Sequence, residues 1–147
     1  MTQPLCISHW LRQAAETLAA SSDSARADAE YLLAFVLQQS RTWLHTWSDR
    51  TLTGEQQARA DALLQRRAGG EPVAYLCGEQ GFWSLLLDVN PSTLIPRADT
   101  ETLIEWALEL PLPATASVLD LGTGTGAIAL ALASEQPSWQ LLGVDFQ

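Results

Sequence analysis

Lysine is absent from the 147 residues, and all eight basic residues are arginine. Seven of them stand in residues 1–78, against eight acids. Residues 79–147 hold Arg97 alone against nine acids, and the whole chain carries −9 at pH 7. A protein that grips a phosphate backbone shows a basic stripe or patch. No such stripe exists here, so no direct nucleic-acid partner is expected. Cysteine occurs only as Cys6 and Cys77, too few for a disulfide framework, which points to reduced thiols and a cytoplasmic location. No run approaches the ~18 consecutive apolar residues of a membrane span, and no basic segment followed by an apolar core opens the chain. His9 and His45 have no acid or cysteine at metal-ligand spacing, so no metal is expected.

What the chain does contain is 47% apolar and 17% charged, enough for a packed core. The first 70-odd residues read as short amphipathic helices. Leu11, Ala14, Ala15 and Leu18 follow helical spacing, and Ala29, Leu32, Leu33, Val36 and Leu37 repeat it. Ser24 is placed to cap the second helix, and Trp43, Leu44 and Trp47 mark a short third. Thr53 with Gln56 forms a possible capping box for a fourth that carries Ala60, Leu63 and Leu64 inward and ends at Gly69-Gly70. Pro72 opens a fifth, PVAYLC. Residues 1–78 therefore read as a small all-α bundle. The tryptophans are expected to serve packing, and Arg66-Arg67 to be a solvated helix end.

At Gly78 the composition changes. GFWSLLLDVN suits a strand, Asn90-Pro91-Ser92 a turn, and TLI a second strand, so residues 79–97 predict a β-hairpin linker. A helix follows with Leu103, Ile104, Ala107 and Leu108 on its buried face. Then come a buried strand SVLDL, a glycine-rich loop, the helix AIALALASE and a strand WQLLGVD. This order is the first β-α-β unit of a parallel, Rossmann-like α/β sheet, occupying residues 98–147. Two strands leave edges unpaired and faces uncovered, so the sequence reads as the front part of a longer, truncated protein.

The loop Asp120-Leu121-Gly122-Thr123-Gly124-Thr125-Gly126 is the most informative stretch. Alternate glycines permit positive φ and close approach of a ligand to the backbone. A helix N-terminus beyond the loop suits an anionic group. The dinucleotide fingerprint is G-x-G-x-x-G. The G-x-G-x-G spacing after an acid instead resembles motif I of the class I methyltransferases. That resemblance implies S-adenosylmethionine as cofactor, bound by Gly122, Thr123, Gly124, Thr125 and Gly126, with Asp120 helping to hold its ammonium group. Asp145, ending the next strand, is placed to accept hydrogen bonds from ribose hydroxyls.

LIPRADTE at 94–101, GFW at 81–83, DLGTGTGAIALALA, DAEYLLAFVLQQSRTWL and LLQRRAGGEPVAYL together resemble the release factor glutamine methyltransferases, the PrmC/HemK family. The family motif is usually LIPRPDTE, and Ala98 stands where the second proline would be. Ribosomal-protein glutamine methyltransferases tend to a PRSP-like version, so the DTE ending favours the release factor branch. The resemblance implies methyl transfer to the side-chain amide of the glutamine in the Gly-Gly-Gln motif of a class 1 peptide chain release factor, by a monomer whose helical segment contacts that substrate. It also implies an Asn-Pro-Pro-Tyr motif that holds the amide. These 147 residues contain none, so no catalytic residue is expected within them. The competing readings are a truncated, non-catalytic fragment or partner-binding helical module, and a nucleic-acid adenine methyltransferase, which would show a basic surface. From the residues alone, Asp99 or Thr100 caps a helix with Glu101 in its first turn. Arg97 is expected at the mouth of the cofactor pocket or paired with a nearby acid.

Overall fold

The computed structural model describes residues 4–146. Two compact units divide at Cys77/Gly78. The first holds five helices: α1 (Ile7–Leu18), α2 (Ala25–Leu37), α3 (Arg41–Thr46), α4 (Gly54–Ala68) and α5 (Val73–Cys77). Their apolar stripes meet in one core of Ile7, Trp10, Leu11, Ala14, Leu18, Ala29, Leu33, Val36, Leu44, Leu52, Ala60 and Leu64. Local signals fix the helix ends. Thr53 Oγ1 accepts from the Gln56 amide, and the Gln56 side chain accepts from the Thr53 amide, closing the capping box that begins α4. Ser40 caps α3 through the Trp43 amide. Trp10 lies in the core and its indole N–H donates to Asp61 Oδ1 at 2.7 Å, satisfying a polar atom that burial would otherwise strand.

Two carboxylates of α2 are buried beside that core. Asp28 accepts from the hydroxyls of Ser22 (2.7 Å) and Ser24 (3.0 Å) and from Arg67 Nε (2.8 Å). Ser24 therefore occupies the cap position without capping. Its hydroxyl serves Asp28 instead of a backbone amide. Arg67 is not the solvated helix end expected from sequence. Its side chain is 16% exposed and pairs with Asp28, while Arg66 pairs with Glu71 at 2.6 Å. Glu30 is held by Arg26 (2.8 Å), Arg41 (2.6 Å) and the His45 ring (3.4 Å). Burial pushes both carboxyls up, but the hydrogen bonds and cations outweigh it and hold them below the ordinary carboxylate range.

The second unit holds β1 (Glu79–Phe82), β2 (Leu85–Asp88), α6 (Glu101–Glu109), β3 (Ser117–Leu121), α7 (Ala127–Glu135) and β4 (Gln140–Val144). The hairpin is tighter than the sequence suggests. β1 and β2 pair antiparallel, Glu79 with Asp88 and Phe82 with Leu85, so the stretch 81–90 expected to form one strand holds the end of β1, the turn and all of β2. The hairpin turn is Trp83-Ser84; the chain does turn at Asn90-Pro91-Ser92, where Thr93 N–H donates to the Asn90 carbonyl at 3.2 Å, but that turn joins no paired strands and TLI is not a strand. Trp83 adopts φ 55°, a positive value at the first central position, as in the mirror-image turns whose twist matches that of paired strands. A bulky residue rarely takes this conformation. Here two carboxylates hold it: the Trp83 amide donates to Glu101 Oε1 at 2.7 Å and the indole N–H to Glu135 Oε1 at 2.6 Å. Glu101→Ala should thus destabilise the second unit by about 1–2 kcal/mol, read by urea unfolding, with Glu101→Gln losing less because an acceptor remains.

Phe82, Leu87, Ile104, Ala127, Ala131 and Leu132 form the core of this unit. On α6 only Ile104 is fully buried; Leu103, expected inward, is 49% exposed, because Ile104 takes the centre of the contact with α7 and Leu103 falls beside it. Trp47 and Trp106 are likewise exposed and do not serve the core. β3 and β4 pair in parallel, Ser117 with Gln140 through Leu121 with Val144. Val118 and Leu141 turn toward the helices, while Leu119, Leu121 and Leu142 stand exposed on the other face.

Candidate functional site

Each of the glycines expected to permit a turn takes positive φ: 74° at Gly122, 55° at Gly124 and 78° at Gly126. At Gly122 and Gly124 an added Cβ would meet nothing within 4 Å, so open space lies over the backbone where a ligand would approach. Gly126 is the N-cap of α7 and offers no side chain to the helix start. The first-turn amides of a helix have no intrahelical partner, and here no side-chain cap takes their place.

The loop is stitched to the end of β4. Gly122 N–H and Thr123 N–H both donate to the Val144 carbonyl, at 2.8 and 3.0 Å, and Gly126 N–H donates to the Thr123 carbonyl at 2.8 Å. Thr123 also lies over Gly143. A Cβ there would come within 2.7 Å of Thr123 Oγ1, so the glycine on β4 is what admits this side chain. The Thr123 hydroxyl donates to Asp120 Oδ2 at 2.7 Å. Asp145 Oδ2 accepts from Gly124 N–H at 2.5 Å. The structure thus brings Asp120, the three glycines, Thr123 and Asp145 together at the carboxyl ends of two parallel strands. Ligands of α/β sheets bind outside those ends. Gly143 and Val144 were not singled out from the sequence; a glycine within the apolar strand LLGV was the signal available for the first.

These residues could hold a zwitterionic ligand that carries a diol. An uncapped helix start and open loop backbone suit a carboxylate, and two carboxylates suit an ammonium and a diol. Among the described residues no cluster of histidine, cysteine and acid could hold a metal ion, and no helix is long and apolar enough to cross a membrane.

The LIPRADTE segment is arranged differently from expectation. Ala98–Thr100 form a short 3-10 turn closed by Thr100 N–H on the Arg97 carbonyl at 3.0 Å, and neither Asp99 nor Thr100 caps α6 through its side chain. The 3-10 turn supplies the backbone bond that a cap would otherwise make. Glu101 does stand in the first turn of α6, as expected, with its carboxylate turned to the hairpin. Arg97 is exposed and forms no ion pair with an acid of the described residues, so the expected pairing is not made. Arg97 is already extended, the conformation that a residue preceding a proline would require, and Ala98 opens a helical turn. Ala98→Pro should therefore stabilise the second unit, by about 0.4–1 kcal/mol in thermal unfolding.

Residues 9–78 match the family model described as PrmC N-terminal domain. The chain is 54% identical over 145 residues to the release factor glutamine methyltransferase of Shewanella oneidensis, covering 99% of this chain and 51% of that protein. It is 53% identical over 137 residues to that of Escherichia coli, covering 93% and 49%, and 57% identical over 124 residues to that of Pseudomonas aeruginosa, covering 84% and 45%. It spans about half the length of the curated relatives it matches. Over that half, the chain belongs to the release factor glutamine methyltransferase family.

Proposed function

We propose that residues 98–147 open the S-adenosylmethionine-binding domain of a protein-glutamine N-methyltransferase, and that residues 1–78 help to recognise its substrate protein. The observation that carries this reading is the β3–loop–α7–β4 unit, with positive-φ Gly122, Gly124 and Gly126 set between Asp120 and Asp145. Gly122, Thr123, Gly124, Thr125 and Gly126 would line the methionine part of the cofactor, with the α7 start facing its carboxylate. Asp120 would help to hold the ammonium, and Asp145 would accept from the ribose hydroxyls.

The cofactor supplies a methyl group on a sulfonium, an electrophile that needs no acid catalysis. The acceptor is the side-chain amide of the glutamine in the Gly-Gly-Gln motif of a class 1 peptide chain release factor. Its nitrogen is a poor nucleophile because the lone pair is delocalised, so rate must come from in-line positioning and from hydrogen bonds that localise that pair. No Asn-Pro-Pro-Tyr lies in these residues, so they contribute the donor side of the site and no holder for the amide. Taken alone they should bind cofactor weakly and turn nothing over. The release factor is the partner, the protein acts as a monomer in the cytoplasm, and no nucleic acid is contacted directly.

The test uses this sequence within a protein of its relatives' full length. Incubation with S-adenosylmethionine and a class 1 release factor should add one methyl group to the Gly-Gly-Gln glutamine, located by tandem mass spectrometry of the peptide. Methylation of a ribosomal protein instead would overturn the substrate. Absence of S-adenosylmethionine binding by calorimetry would overturn the whole reading.

A further inference from the structure

The acids beside the loop are already engaged by the loop's own backbone and side chains. Asp145 Oδ2 accepts from Gly124 N–H at 2.5 Å, and its Oδ1 accepts from Phe146 N–H at 2.7 Å. One carboxylate is therefore pinned from two sides. One donor comes from the loop and the other from the residue that follows it in the chain. Each carboxylate oxygen has two lone pairs, so each retains room for one more donor. A diol arriving there meets an acceptor pair whose orientation is already fixed, and loses little side-chain freedom on binding.

We infer that Asp145 is a positioning residue for the glycine loop, and that its hydrogen bond to Gly124 couples the ribose end of the site to the loop at the other end. The inference rests on the S-adenosylmethionine reading for what the ligand is, but the latch itself exists without a ligand. Gly124 takes φ 55° with open space at its Cβ position, and the charge-assisted bond to Asp145 holds its amide there. Gly122 and Thr123, bonded to the adjoining Val144 carbonyl, share the same anchor. Hydroxyls bound at Asp145 therefore steady the acceptor on which the loop hangs, and a loop ordered at Gly124 in turn orients Asp145 for the hydroxyls. Binding at either end favours binding at the other.

The experiment is amide NMR on the isotopically labelled chain without ligand. Asp145→Ala should move the Gly124 amide proton upfield and raise hydrogen exchange at Gly122, Thr123 and Gly124 on the order of tenfold, the loss of one hydrogen bond to a charged group, and Asp145→Asn, which keeps an acceptor without the charge, should do so less. Exchange there equal to that of the unsubstituted chain would overturn the latch. A variant-free reading guards against misfolding: in the unsubstituted chain the Gly124 amide proton should move as acid neutralises the carboxylates, while that of Gly81 stays still. A Gly124 resonance as indifferent as Gly81 would also overturn it. S-adenosylhomocysteine titrated into the full-length protein separates the two ideas. If none binds while the Gly124 signature is present, the cofactor reading fails and the latch stands. If it binds with equal affinity to Asp145→Asn, the coupling and the ribose role of Asp145 fail together, and S-adenosylmethionine as the ligand of the glycine loop stands.

Discussion

Asp28→Ala is expected to destabilise the helical unit by about 3–5 kcal/mol, the range for removing one partner of a buried ion pair. The substitution strands Arg67, whose guanidinium donates to Asp28 Oδ2 and is held where water reaches it poorly. It also removes the acceptor of the Ser22 and Ser24 hydroxyls, which fasten the segment between α1 and α2. Asp28 sits in the first turn of α2 and Arg67 in the last turn of α4, so each also complements its own helix dipole. For a unit of this size each kcal/mol shifts the thermal midpoint by roughly 4–8 °C, readily measured by circular dichroism. The double variant Asp28→Ala/Arg67→Met should recover part of the loss, because it leaves no unpaired charge. The pH dependence has a definite sign. The folded carboxyls of Asp28 and Glu30 are held below their ordinary values. Their contribution is full above the unfolded values and is lost as pH falls through the folded ones, so the unit should melt earlier in strong acid. Asp28→Ala should flatten that acid limb.

Gly143→Ala should damage the loop without touching it in sequence. The new Cβ would stand 2.7 Å from Thr123 Oγ1, closer than such atoms sit, and 3.0 Å from Thr123 Cβ, a tight contact. Thr123 must rotate or rise, and either movement breaks its hydrogen bond to Asp120. Overpacking of this kind costs about 1–3 kcal/mol. If the loop opens to relieve it, S-adenosylmethionine affinity falls by roughly 5–150-fold in the full-length protein, as calorimetry would register. Gly81→Ala is the control. It places the same methyl on β1, where nothing lies within 4 Å, and should leave affinity unchanged. Adding Thr123→Gly to Gly143→Ala should restore stability but not affinity, since the hydroxyl that links the loop to Asp120 is gone.

The parts of this fold that sequence discloses are those whose causes are local. The Thr53–Gln56 capping box, the Gly69 end of α4, and the span of α7 all follow from residues within one or two helical turns. The glycine loop was legible for the same reason: three glycines within five residues need one backbone path. The hairpin was misplaced because its determinants are remote. Trp83 tolerates a positive φ only because Glu101 and Glu135 reach it, 18 and 52 residues away in the chain. Arg67 was misread because its partner Asp28 lies 39 residues earlier. An acid one position from Ala29 on a helix whose stripe was otherwise apolar was the available hint. At the site, the acids could be named from spacing, but their hydrogen bonds to Thr123 and Gly124 could not.

The stitching of the loop to β4 also governs chain length. Gly122 and Thr123 share the Val144 carbonyl, and Gly124 takes the next residue, Asp145. One residue inserted between Gly122 and Gly124 would slip every later amide off its acceptor. A deletion would pull α7 away from the strand. Insertions should instead survive in the exposed stretch at 110–115, where the backbone makes few bonds and no strand register depends on it. A library of single-residue insertions scored for folding would show an intolerant window from the start of β3 through the loop, 117–126, preceded by a permissive one at 110–115.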